Sequence, residues 1–378
     1  MRGPSRTSTR LAGVDVARGL ALLGMAAVHI FPEQSADGGL HPAYVVAAGR
    51  ASALFAVLAG VGLALLRRSG RAGSIRQVRV AVAVRAVLLL ALGLALGTVD
   101  SPPLVILQYY ALLFLVAVPL LGLPVRVLAA AAVVWAVVSP LVSHLLRSTV
   151  VDPFPVAEPG GSGLPVQLAV SGVYPVLTWT TYLVAGLAVG GLALRRRSVG
   201  AGLLLGGTAL AVGARLLSAV LLSAAGGAAE LARQTPELGR EGVDRALSGG
   251  MYGVTPTTDL RWLLVGSPHT GTTLDLVGTT GSALAVLGLC LLLTTRGAGP
   301  LLPLACVGSM TLTLYTLHVL ALRTNGPLLL DDRTELWVLH VAVALVLATF
   351  WRTVVGRGPL EAATTWVSSR VAAATVRR

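Results

Sequence analysis

Residues 11–31 read LAGVDVARGLALLGMAAVHIF, a stretch apolar enough to cross a bilayer that nevertheless carries Asp15, Arg18 and His29. An Arg or Asp at the centre of a membrane helix costs about 2.5–3.5 kcal/mol on insertion scales, so such residues mark function by default. Arg18 and His29 stand eleven positions apart; at 3.6 residues per turn they share one face and lie about 16 Å apart along the axis. Asp15, three residues before Arg18, falls on that side within ion-pair reach. The face continues through Leu22 and Met25, so one helix offers a charged pair at one membrane depth and an imidazole near the other.

The rest of the chain extends that reading. Of 378 residues, 55% are hydrophobic and 12% charged, and a mean hydropathy of +0.81 excludes a soluble domain of this length. Runs of about 20 apolar residues predict ten spans. They lie near 11–31, 42–66, 80–99, 104–121, 127–146, 170–194, 200–224, 273–295, 301–322 and 335–354. The expected fold is an all-α, polytopic transmembrane helical bundle, one integral membrane domain over residues 1–378. The basic N-terminus MRGPSRTSTR precedes an apolar run as in a signal peptide. That run is longer, carries charges and lacks a small-residue cleavage motif, so it reads as a retained first helix.

The net charge of +13 does not imply a nucleic-acid partner, because the charges sort by side of the membrane. All 29 basic residues are arginine. Eighteen fall in alternate segments, including the loop 67–79 and the tail 355–378; seven lie in the opposite loops, and Arg18, Arg50, Arg85 and Arg215 lie within spans. Fourteen of the 16 acids lie in or beside the opposite segments, leaving Asp15 and Glu361. By the positive-inside rule both termini are expected in the cytoplasm of a plasma-membrane protein. Two outer loops are long: 147–169, with DPFPVAEPGGSGLP, and 225–272, where AAELARQTPELGREGVDRAL predicts a short surface helix. A lid over a site and a loose connection both fit such loops.

Polar groups inside the spans point to two places. Arg50, eight or nine residues into the second span, is too deep for an interfacial anchor and needs a partner or a wet cavity. Ser52, Gln108, Tyr109, Tyr110, Tyr174, Thr178, Trp179, Tyr182, Thr313, Tyr315 and His318 also occupy outer halves of spans. Each alone fits interfacial anchoring or helix packing; together with His29 and Arg50 they predict a polar cavity open to the outside, with His269 in the SPHTGTT return at its mouth. On the inner side Arg85 and Arg18 present guanidiniums suited to phosphate, or snorkel to the interface. His144 and His340 lie near span ends, and Cys290 and Cys306 read as small buried thiols. No HExxH, HxH, GxSxG, Walker or dinucleotide-binding glycine pattern is present.

These residues resemble a family. GVDVARGLALLGMAAVH (13–29) resembles the opening of acyltransferase-3-type membrane acyltransferases, whose hallmark is Arg, ten residues, then His, here Arg18 and His29. The DxxRG start and Gly-rich second span are similar to heparan-alpha-glucosaminide N-acetyltransferase and its bacterial relatives. GRASALFAVLAGVGLAL (49–65), VGSMTLTLYTLHVLAL (307–322) and RGPLE (357–361) resemble the YeiB-like family, domain of unknown function 418. The resemblance implies a ten- or eleven-helix fold in which cytosolic acetyl-CoA passes its acyl group to an acceptor, often a sugar, on the far side. It carries the base or acyl-carrier role to His29, with His41 the nearest counterpart of a histidine that precedes the second span in the glucosaminide enzyme.

The expected function is thus membrane-bound O- or N-acyl transfer from a cytoplasmic acetyl-CoA, with no permanently bound cofactor, to an extracytoplasmic glycan or lipid-linked acceptor. His29 and His41 are the candidate bases. Asp15, Arg18 and Arg85 are assigned to the donor; Arg50, Ser52, Tyr315, His318 and His269 to the acceptor and the developing oxyanion. Membrane lipid is the surrounding partner and a homodimer is compatible. The alternative is a transporter or flippase whose intramembrane charges bind a substrate that crosses unmodified; a purely scaffolding protein leaves those charges without a reason.

Overall fold

The computed structural model describes residues 10–69, 73–150, 163–323 and 332–376. Arg2, Arg6, Arg71, Arg377 and Arg378, counted above for orientation, and most of the Pro/Gly-rich outer loop lie outside these residues. Every regular element described is helical. In order they are α1 (Ala12–Ile30), α2 (Pro42–Ala47), α3 (Arg50–Arg68), α4 (Ile75–Gly97), α5 (Leu107–Leu120), α6 (Val125–Val150), α7 (Leu164–Val166), α8 (Val176–Gly190), α9 (Arg197–Ala224), α10 (Gly227–Gln234), α11 (Gly239–Ser248), α12 (Thr273–Leu293), α13 (Leu302–Ser309), α14 (Thr311–Ala321), α15 (Arg333–Val354) and α16 (Pro359–Val376). Among the described residues seven helices are long and apolar enough to span a membrane, and two bent pairs bring the number to nine; the 14-residue α5 accounts for the tenth expected span. The chain is a multi-pass membrane protein.

Polar side chains start helices where backbone N–H groups would otherwise lack partners. Ser74 and Gln77 bond each other's backbone at the head of α4 in a capping box. Asp332 accepts from Thr334 and Glu335 N–H at the head of α15, and these contacts hold its carboxyl below the usual range. α1 is the hub, packing on α2, α3, α12, α13, α14 and α15. Glycines allow the closest approaches: a Cβ at Gly308 would strike the Asp15 carbonyl, and one at Gly60 the Leu183 carbonyl. Rim helices α9 and α15 turn Leu216, Val220, Val346 and Phe350 outward, the surface a bilayer would cover.

Three spans are broken. The second splits at Gly49, whose φ of +68° separates α2 from α3; α7 with its following turn meets α8 at 55°, and α13 meets α14 at 71°. Arg50 therefore does not sit a fixed depth down a continuous helix, as expected above, but opens α3 directly after a break.

The long segments differ from expectation. The expected loop 147–169 begins later, because α6 continues through Val150 and keeps Arg147 buried, bonded to Ser143 Oγ and the Thr255 carbonyl. Segment 225–272 is neither loose nor one helix: α10, α11 and a 3-10 turn at Leu260–Leu264 enclose Leu231, Val243, Ala246, Trp262 and Val265 in a small core of their own. Pro236 in the predicted helix divides it, since proline cannot continue the backbone ladder. The tail 355–378 carries α16, which packs on α4 and α14.

Candidate functional site

The polar face read on α1 is real, and its two ends are built differently. At one end Asp15 pairs with Arg10 (Nε to Oδ2, 2.6 Å) and Arg18 (Nη1 to Oδ1, 3.3 Å). Arg18 also reaches the Leu58 carbonyl at 3.4 Å, over Gly62, where any side chain would strike the guanidinium. Arg85 donates to Thr365 Oγ1 on α16 at 3.1 Å and feels the charges of Arg18, Arg357 and Glu361. Asp15, Arg18 and Arg85 thus share one end of the bundle, with Arg18 held by its carboxylate.

At the other end His29 Nδ1 lies 3.1 Å from His318 Nε2 of α14. The rings of His340, from α15, and His318 lie nearly perpendicular with their centres 5.5 Å apart, and His340 Nδ1 bonds the Leu336 carbonyl at 2.9 Å. His318 Nδ1 and His340 Nε2 are buried without a hydrogen-bond partner among the described residues. Next to them a 170 Å³ groove between α1, α14 and α15 is lined by Leu22, Ala26, Leu317 and Val343. The sequence reading set His340 aside as a span-end residue; its position two turns into α15, facing α14, brings it to the pair.

Two distant residues hold α14 there. Glu361 crosses from α16 to the α13/α14 break, where its carboxylate accepts from Leu312 N (2.7 Å), Thr313 N (3.2 Å) and Thr313 Oγ1 (2.6 Å). Tyr315 Oη accepts from Ile106 N at 3.2 Å, tying the helix to the start of α5. The RGPLE stretch carries the Glu361 cap, a role that no spacing within the sequence displays.

His269 comes down from segment 225–272 with a φ of +56°, a left-handed backbone that a non-glycine residue holds only where its surroundings over-determine it. Its Nε2 accepts the Gly49 N–H at 3.1 Å, and Ser52 Oγ donates to the Gly49 carbonyl at 3.1 Å, so these two expected acceptor residues latch the break in the second span. Trp179 stacks on the His269 ring and Tyr174 meets it edge-on. This enclosure pushes the imidazole down to about 4, because burial penalises its charged form.

His41 goes elsewhere. Its Nδ1 accepts the Ala43 N–H as the cap of α2 and its ring stacks on Phe31 at 4.4 Å. Among the described residues no hydrogen bond or ring contact joins it to His29. Arg50 also leaves the histidines: it bonds the Val45 carbonyl and lines a separate 300 Å³ cavity with Arg215 and Asp275. Asp275 was missed because hydropathy places it at a span edge; a carboxylate three residues into an apolar run is the signal that could have found it.

A histidine pair, His318 buried and His29 half-buried, joined by one helix to an arginine cluster, is the setting in which the comparison with known proteins falls. The sequence model of the heparan-alpha-glucosaminide N-acetyltransferase catalytic family matches residues 10–217. The chain belongs to that family. The match contains Asp15, Arg18, His29, His41, Arg50, Ser52 and Arg85, whereas His269, Tyr315 and His318 lie beyond it. No curated protein matches the chain.

Proposed function

We propose that this member of the family transfers an acetyl group from acetyl-CoA, received at the arginine end, to a hydroxyl or amine of a glycan or lipid-linked acceptor at the histidine end. In this reading the termini are cytoplasmic, the membrane is the plasma membrane, and the acceptor binds outside. The observation that carries it is the 3.1 Å contact between His29 Nδ1 and His318 Nε2. With the proton on His29 Nδ1 donated to His318, His29 Nε2 keeps a free lone pair to take the acceptor's proton as its oxygen or nitrogen attacks the thioester carbonyl. The imidazolium so formed then protonates the departing thiolate or the product, and His318 steadies its charge. Arg18 and Arg85 supply charged donors for the phosphates of the donor.

Purified protein with radiolabelled acetyl-CoA and a membrane-lipid extract tests this. Label should move to the acceptor fraction, His29→Ala should lower the rate by at least a hundredfold, and acetyl-CoA binding should persist in that variant. Transfer by His29→Ala at the wild-type rate refutes the assignment.

One observation favours a second reading. Broken spans at 55° and 71° resemble the discontinuous helices that form substrate sites in transporters. Uptake of an intact solute into proteoliposomes without acetyl-CoA is the outcome that would replace transfer by transport.

A further inference from the structure

The 300 Å³ cavity between α3, α9 and α12 is lined by Pro268 but by none of His29, His318 and His340, and is not used by the transfer chemistry. Arg50 and Arg215 enter it from different helices, each spending one hydrogen bond on a carbonyl, Val45 for the first and Gly266 for the second. A guanidinium has five donors, so both keep N–H groups for a ligand. Asp275 is 3% exposed and lines the same cavity. Its Oδ2 accepts the Gly271 N–H at 3.0 Å, whereas its Oδ1 is buried without a hydrogen-bond partner among the described residues. Arg50 and Asp275 attract each other, yet no ion pair joins them among the described residues. Oδ1 shows no accessible surface, so Asp275 meets a ligand in this cavity through its charge alone.

The walls add the other half of the argument. Val212 and Leu216 line the opening and are 52% and 62% exposed on α9, a rim helix whose outer face a bilayer would cover. Arg50 opens α3 and Asp275 lies in the first turn of α12, both at the ends of their helices that adjoin segment 225–272. Two cations against one carboxylate leave room for one negative charge.

We propose that this cavity binds the head of a singly charged phosphodiester, with Arg50 and Arg215 on the phosphate. The lateral opening favours an anionic phospholipid over a soluble phosphate ester. The site stands independently of acetyl transfer and of His29.

Native mass spectrometry of the full-length protein in detergent tests it with four probes: phosphatidylglycerol, phosphatidylmethanol, phosphatidylcholine and glycerol 1-phosphate. Phosphatidylglycerol should bind at least tenfold more tightly than phosphatidylcholine. Arg215→Gln should remove that advantage. Val212→Trp, which blocks the opening from an exposed position, should do the same without touching a charge. Phosphatidylmethanol, which keeps the phosphodiester and lacks the hydroxyls, should bind as tightly as phosphatidylglycerol. Glycerol 1-phosphate binding as tightly as the lipid, and lost in Arg215→Gln, keeps the chemistry and assigns the site to a soluble ligand. Equal retention of phosphatidylglycerol and phosphatidylcholine, or phosphatidylglycerol binding unchanged in both Arg215→Gln and Val212→Trp, overturns the proposal.

Discussion

Replacing Glu361 tests how a residue on α16 controls a histidine it does not touch. Its carboxylate satisfies two backbone N–H groups and one hydroxyl at the break that starts α14, and α14 carries Tyr315 and His318. In Glu361→Ala the two N–H groups lose their acceptor in a partly buried site. At about 1–2 kcal/mol for each unsatisfied donor the cost is about 3 kcal/mol, in the range of other lost helix caps plus a desolvated group. Glu361→Gln keeps one acceptor oxygen and loses the charge, which roughly halves the strength of such bonds, so it should cost about 1 kcal/mol.

At about 2 °C per kcal/mol for a chain of this size, detergent-solubilised Glu361→Ala should melt about 6 °C below wild type and Glu361→Gln about 2 °C below. Hydrogen exchange should locate the loss in residues 311–321 before it reaches α1. Acetyl transfer should fall in the same order, because a frayed α14 start loosens the His318 that pairs with His29. Wild-type melting in both variants, or an alanine variant that destabilises uniformly and leaves residues 311–321 protected, would refute the capping argument.

The remaining expectations are briefer. His269 is held neutral in the folded protein, about 4 against an ordinary 6.5; its contribution is therefore complete above pH 6.5 and lost as the pH falls from 6.5 toward 4. Melting temperature should drop across that window in wild type, and the drop should be smaller in His269→Asn. Arg85→Gln should raise the KM for acetyl-CoA about tenfold with kcat changed less than threefold, the sign of a contact made equally in ground and transition states. Gly308→Ala places a methyl on the Asp15 carbonyl and should cost about 3 kcal/mol or prevent folding, read by melting temperature and yield, whereas Gly202→Ala, with nothing nearby, should be neutral or slightly stabilising.

What the sequence disclosed was what periodicity and desolvation make visible. Ten apolar runs became seven spans, two bent pairs and one short helix, and Asp15, Arg18 and His29 share a helix face because an eleven-residue spacing is three turns. The partners of those residues were not legible. Nothing in one chain ties residue 29 to residue 318, 269 to 49, or 361 to 312. Such contacts depend on how helices cross, and crossing is set by small-residue contacts such as Gly308 on Asp15, whose pairing no local pattern records. The same reason dispersed the single polar cavity expected above: the Gly49 break sends Arg50 toward α9 and α12.

Two of the breaks share a construction that bears on how the site works. At Gly49 the interrupted ladder is closed by His269 from an outer segment with its own core; at the start of α14 it is closed by Glu361 from the last helix. A broken span exposes backbone donors that must be satisfied inside the protein, since lipid offers none. Each closing side chain therefore acts as a reporter: if segment 225–272 lifts, Gly49 N–H loses its acceptor. In the proposed transfer, lifting that segment would open the acceptor side and loosen the start of α3 in one event, and trapping it should affect both. A disulfide or crosslink that pins α11 to α1 should block acceptor access while leaving acetyl-CoA binding at the Arg18 end intact. Equal loss of both binding events would show that the two ends of α1 are not independently gated.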